Sequence, residues 1–223
     1  MSTSTIQTNL NKVLSHLASL STPVAELVAV SKLKPASDIL QAYNCNHRHF
    51  GENYVSELVE KSLKLPVDIK WHMIGHLQSN KVNKLISACA NLYMIETVDS
   101  EKLASKIESA MKLSRPSDRL KVLVEVKTSS EDTKSGIPAS NVRGLIAHIQ
   151  SNCPHLEFAG LMTIAHPETP EDSFRQLAEL KRALQLENIP VQTLSMGMSG
   201  DYELAVQHGS DQVRIGSSIF GSR

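Results

Sequence analysis

The feature that most constrains this chain is an alternation of eight short runs that read as strands, the first apolar and β-branched, with stretches at helical spacing. Leu27–Val30 precedes the helical stretch Ala36–Tyr43, which opens just after Pro35. His49–Asn53 precedes Val55, Leu58, Val59 and Leu63, and Ile69–Gly75 precedes Val82, Leu85 and Ile86. Leu92–Val98 leads to Leu103, Ile107 and Met111, and Leu120–Val126 leads to Val142–Ile149. Phe158–Thr163 precedes a charged helix over Glu171–Glu187, Val191–Met196 precedes Asp201–His208, and Val213–Phe220 closes the series. Strands separated by helices form a parallel sheet with right-handed crossovers. Eight such units close into a (β/α)8 TIM-type barrel. An open doubly wound sheet would want a glycine fingerprint after its first strand. Here that strand runs into Ser31-Lys32-Leu33-Lys34-Pro35 without a glycine, which favours the barrel.

Ile6, Leu10, Val13, Leu14 and Leu17 fall on one helical face, so residues 1–25 are expected to form an N-terminal helix and link. Little chain follows the eighth strand, so this helix is expected to cover the bottom or the seam of the barrel. No linker marks a second domain, and residues 1–223 are expected to form one domain.

Charge narrows the function. Lys+Arg and Asp+Glu both number 23, a balance that argues against nucleic acid or an anionic membrane surface as partner. No apolar stretch approaches the roughly 18 residues of a membrane helix. Cys45, Cys89 and Cys153 are odd in number, widely spaced and in or near helices, as expected of packing residues in a reducing, cytoplasmic setting. The N-terminus lacks the apolar core of a secretory signal and has no Arg before Arg48, which argues against mitochondrial import while leaving a mitochondrial pool open.

In a parallel barrel the site forms where the strands end. Lys32 follows an apolar run directly, and desolvation there would lower its pKa and free a neutral amine for Schiff-base chemistry. On position alone the simpler reading is a solvated charge at a strand end. Ser195–Ser199 and Gly216–Ser218 are small-residue strand ends of the kind that barrels use to hold phosphate, though such residues often merely turn the chain. Arg214, between Val213 and Ile215, is placed by alternation towards the interior, where without a ligand it would form a buried salt bridge. A rival is a metal-dependent hydrolase using His72, His76 and His166, but these lack convergent spacing and an accompanying carboxylate cluster.

These residues make a family recognisable. LVAVSKLKP (27–35), HFGENYVSEL (49–58), WHMIGHLQSNK (71–81), DTKSGI (132–137), GLMTI (160–164), LSMGMSGDYELAV (194–206) and VRIGSSIFG (213–221) span nearly the whole chain in order. Together they resemble the pyridoxal-phosphate homeostasis proteins, single-domain barrels that bind pyridoxal 5'-phosphate (PLP) and are similar to the N-terminal domain of alanine racemase. The resemblance implies Lys32 as the Schiff-base lysine, Asn53 beside the cofactor ring and Arg214 facing the pyridine nitrogen. It also implies Ser195, Ser199, Gly216 and Ser217 at the phosphate. The chain departs from the family in ending at FGSR, short of the expected polar tail, and in a brief link before the first strand; neither touches the pocket residues.

An arginine cannot accept a proton from the pyridinium, so a ring nitrogen facing Arg214 stays unprotonated and the ring is a weak electron sink. The expectation is therefore a monomeric carrier or buffer of PLP in vitamin B6 homeostasis, with apo PLP-dependent enzymes as candidate recipients and no assigned catalytic residue. The alternative is a slow PLP-dependent amino-acid racemase or lyase.

Overall fold

Strands covered on both faces read as apolar runs rather than as alternating patterns, as Leu27–Val30 does here, whereas the shorter staves HFGE, KWHM and QVRI alternate polar with apolar residues. The computed structural model describes residues 4–128 and 135–222. Its strands are β1 (Glu26–Val30), β2 (His49–Glu52), β3 (Lys70–Met73), β4 (Leu92–Val98), β5 (Leu120–Lys127), β6 (Ile137–Pro138), β7 (Leu156–Met162), β8 (Thr193–Ser195) and β9 (Gln212–Ile215). The order β4-β3-β2-β1-β9-β8-β7-β5 closes on itself through a β4–β5 pairing, and every pair is parallel. The result is the expected eight-stave barrel. β6 is an addition, two residues laid parallel along the end of β5. Of the DTKSGI segment, residues 132–134 lie outside the described residues.

The helices are α1 (Thr5–Leu20), α2 (Ala36–Tyr43), α3 (Val55–Lys64), α4 (Val82–Ala88), α5 (Glu101–Ser114), α6 (Val142–Asn152), α7 (Pro170–Leu186), α8 (Tyr202–Gln207) and α9 (Ser217–Phe220). The eighth apolar run thus divides: Gln212–Ile215 is strand, whereas Ser217–Phe220 turns into a helix begun at Gly216. α1 starts where the Ser4 hydroxyl accepts the Gln7 N–H at 3.1 Å, and it buries Leu10, Val13 and Leu17. It packs on α2, α8 and α9. That is the flank between β9 and β1, where an eighth barrel helix would stand, so α1 covers the seam and not the bottom. Asn9 ties it there by donating to the Ile219 carbonyl at 3.2 Å.

Alternation along the staves sorts side chains between two regions. Outward residues such as Phe50, Trp71 and Val213 join the large core beneath the helices. The small apolar cluster of Met94, Leu123, Ala159 and Met162 is separate from it, inside the barrel. Much of the rest of the interior is polar: His49, His72, Glu96, Ser195, Gln212 and Arg214 are all buried. Branched apolar residues dominate most barrel interiors, so this filling already marks one region as specialised. The thiols are free and lie at helix ends, as expected; burial pushes Cys89 and Cys153 each up to about 11, which keeps both inert.

Candidate functional site

At the C-terminal ends of the staves lies a cavity of about 310 Å³, the size at which small-ligand pockets begin. Its walls include Val30, Lys32, Asn53, Ile74, Ser199, Arg214, Gly216 and Ser217. Residues from the ends of β1, β2, β3, β8 and β9 therefore meet at one place. Lys32 shares its side of the chain with Val28 and Val30, which turns it into the cavity. Asn53 follows β2, and Gly75 lets the next strand end pack against it: a Cβ on Gly75 would stand 2.3 Å from the Asn53 carbonyl oxygen. The Asn53 side-chain oxygen is buried without a hydrogen-bond partner among the described residues. Ser199 Oγ accepts the Gly216 N–H at 3.3 Å, joining the two small-residue turns.

Lys34 also lines the cavity, yet its ammonium donates to the carbonyls of Phe220 and Ser222 at 3.0 Å each. Ser195 does not line it. Fully buried below, its hydroxyl accepts from Arg214 Nη1 and donates to Glu96 Oε2, both at 2.6 Å. The sequence expectation put Ser195 among the phosphate contacts; the structure places its hydroxyl between Arg214 and Glu96, because alternation in a three-residue strand points it into the barrel.

Arg214 is 4% exposed. Its second donor reaches the Thr163 carbonyl at 2.8 Å. The expected buried salt bridge is thus indirect, with Ser195 between the guanidinium and Glu96. Below Glu96 the chain of contacts continues: its Oε1 meets His72 Nδ1 and Gln212 Nε2 at 2.7 Å each, and His72 Nε2 lies 2.9 Å from His49 Nδ1. At the far end His49 Nε2 stands 3.1 Å from the half-exposed Glu26 carboxylate. A line of polar groups therefore crosses the barrel from its base to the cavity floor. Burial raises the Glu96 carboxyl, but the His72 bond, the His72 and Arg214 charges and Ser195 outweigh it, leaving Glu96 below the usual carboxylate range. Burial likewise lowers Arg214, opposed by Glu96, Glu125 and Asp201, and Arg214 remains a cation.

The three histidines of the metal reading part company. His72 is enclosed in that interior line, His76 is exposed in an adjoining cavity of about 370 Å³, 3.8 Å from Asp99, and His166 Nδ1 accepts the Glu168 N–H at 3.2 Å in the loop after β7. Among the described residues no three potential metal ligands are gathered.

Glu52, Glu57 and Lys61 were not singled out from the sequence, nor were Glu96 and Gln212. The available signals were a lone acid within the apolar run LYMIETV and the i,i+4 spacing of Glu57 and Lys61. Burial pushes the Glu52 carboxyl up to about 7, against the pull of Lys61 and Ser31 and with Glu57 adding to the rise. A carboxyl raised above its unfolded value of 4.5 favours folding while protonated, so that contribution is full below about 4.5 and is lost as the pH climbs to about 7. The melting temperature of wild type minus that of Glu52→Gln should accordingly fall across this window. The difference isolates Glu52 from His47 and His49, which burial lowers to about 4 and about 3 and which therefore act in the opposite sense. A difference that stays flat with pH would show that Glu52 does not titrate there.

Comparison with known proteins bears on the family and the fold. The family described as the alanine racemase N-terminal domain matches residues 1–223. Over 210 residues the chain is 49% identical to the pyridoxal phosphate homeostasis protein of Homo sapiens, covering 88% of this chain and 76% of that protein. It is 47% identical over 204 residues to the protein of the same name from Schizosaccharomyces pombe, covering 88% and 84%. The solved structure of PipY from Synechococcus elongatus with PLP bound superposes with a TM-score of 0.82 at 32% identity, covering 95% of this chain and 100% of that one. Alanine racemase from Corynebacterium glutamicum has a TM-score of 0.75 at 14% identity over 98% of this chain and 60% of its own, a likeness of fold alone.

Proposed function

The chain belongs to the pyridoxal phosphate homeostasis protein family, built on the alanine racemase N-terminal domain, and on that premise we propose that it binds PLP and serves vitamin B6 homeostasis. In this reading it holds the cofactor as a Schiff base on Lys32 and works as a monomeric carrier that supplies apo PLP-dependent enzymes in the cytoplasm. The observation that carries the proposal is the meeting of Lys32, Asn53 and Arg214 with the Ser199 and Gly216–Ser217 turns in one cavity.

The residues fit the group. PLP supplies an aldehyde, with which an amine condenses. Lys32 offers that amine beside the apolar walls of Val30 and Ile74, which limit the water around it. Arg214 presents fixed donors to a ring nitrogen and cannot take a proton from it. The orphaned Asn53 oxygen is an acceptor in want of a donor. Ser199, Gly216 and Ser217 line the part of the cavity suited to a phosphate, without bulky side chains to keep its oxygens away. Such a site would grip and orient a reactive aldehyde, and a ring nitrogen held opposite Arg214 would stay unprotonated and disfavour carbanion chemistry.

Saturating the protein with PLP, reducing with borohydride and mapping the peptides should yield one modified residue, Lys32. Modification at Lys34, or none, would overturn the assignment. Incubating the loaded protein with single L-amino acids should leave their chirality essentially unchanged; rapid racemisation would replace the carrier by the racemase.

A further inference from the structure

We propose that Glu57 and Lys61, aided by Glu52, are positioning residues that hold the turn presenting Lys32. The inference rests on Lys32 being the amine that receives PLP, and concerns how the chain keeps it in place.

Lys34 N donates to the Ser31 carbonyl at 3.0 Å, so residues 31–34 form a β-turn with Lys32 at its second position. The third position is Leu33, whose φ of 62° lies in the left-handed region that glycine normally fills in such a turn. Leu33 is 58% exposed, so side-chain packing does not hold it in that conformation. A carboxylate does: Glu57 Oε1 accepts the Leu33 N–H at 2.6 Å. On the other side of Lys32, the Ser31 carbonyl accepts from Lys61 Nζ at 2.8 Å. The same ammonium donates to Glu52 Oε1 at 2.7 Å and Glu57 Oε1 at 2.6 Å, which occupies all three of its protons. The Ser31 hydroxyl adds a bond to Glu52 Oε1 at 2.6 Å. One ion cluster thus fixes the peptide groups on both sides of Lys32.

Alternation explains the arrangement. Ser31 faces outward to α3 and the cluster, while the next residue faces the cavity. Stability alone does not explain it. Buried ion networks are often no better than apolar residues of equal volume, and here Lys61 is only 6% exposed while one Glu52 oxygen has no partner among the described residues. A cluster of this kind fits a need for a rigid turn under a chemically used side chain.

The test uses the full chain with Glu57→Ala, which leaves Lys61 paired to Glu52. Glu60→Ala is the control, because Glu60 is an exposed carboxylate of the same helix paired with Lys64. Amide exchange at Leu33, measured without PLP, should accelerate roughly tenfold in Glu57→Ala and stay unchanged in Glu60→Ala. The rate at which the visible Schiff-base band grows after PLP addition should fall by a similar factor, about tenfold. Adding Leu33→Gly to Glu57→Ala should recover most of that rate, since glycine adopts the turn without the carboxylate; a general loss of stability would not be repaired this way. Unchanged exchange and unchanged rate in Glu57→Ala, or a slowed rate that Leu33→Gly does not restore, would overturn the proposal. If wild type forms no imine at Lys32 the functional reading fails, while the exchange measurement still judges the clamp.

Discussion

Lys32→Ala should give a folded protein that stays colourless after saturation with PLP. Lys32 lies at the rim of the cavity in a turn whose backbone is held by Glu57 and Lys61, and alanine keeps those backbone bonds. Surface and rim truncations of this kind usually move stability by no more than about 0.5–1 kcal/mol. For a chain of this size that is a shift of roughly 1–4 °C in melting temperature. The covalent link, by contrast, should vanish entirely. Lys34 is a poor substitute because the Phe220 and Ser222 carbonyls hold its ammonium. Visible absorbance after gel filtration, with intact mass after borohydride, reads the outcome. A persistent band with the added mass on another lysine would place the amine elsewhere.

Arg214→Leu should be far more damaging to the fold. The guanidinium is the cationic end of the buried line Arg214–Ser195–Glu96. Removing it leaves Glu96 its direct partners His72, Gln212 and the Ser195 hydroxyl but takes away the buried cation that faces it through Ser195. Breaking a directly bonded buried pair from one side costs about 3–5 kcal/mol, which for this pair joined through a hydroxyl is the upper bound, a fall of at most roughly 6–20 °C in melting temperature. PLP should be retained less well in the same variant. Glu96→Gln in the Arg214→Leu background should restore much of the lost stability, because it removes the stranded charge. Melting temperatures of the four proteins form a double-mutant cycle. Costs that simply add would show that Arg214 and Glu96 are not coupled through Ser195.

The barrel was legible because staves covered on both faces are rich in apolar residues, so Leu27–Val30 or Leu120–Val126 announces itself as a run. The same rule misleads at Val213–Phe220, where Ser217-Ser218-Ile219-Phe220 continues the run but folds as a helical turn. Lys32 and Arg214 were legible for a different reason: each is a cation beside apolar neighbours, and alternation alone predicts which way each points. Ser195 shows the limit of that reasoning. Its inward direction follows from the sequence, but its partner does not, and the partner decides whether it meets a ligand or supports Arg214.

The sequence by itself determined the number and order of the staves, the end at which a site must form, and the residues of the family motif. Those depend on periodicity and on local chemistry, which act within a few residues of each other. Only the tertiary structure decided that Glu96 would reach Ser195 across 99 residues and Gln212 across 116, or that Lys61 would hold the Ser31 carbonyl from 30 residues away. Barrel closure and the packing of α3 bring these groups together. In the low-dielectric interior they create, a pairing that solvent would have screened becomes strong enough to set where Arg214 and Lys32 stand.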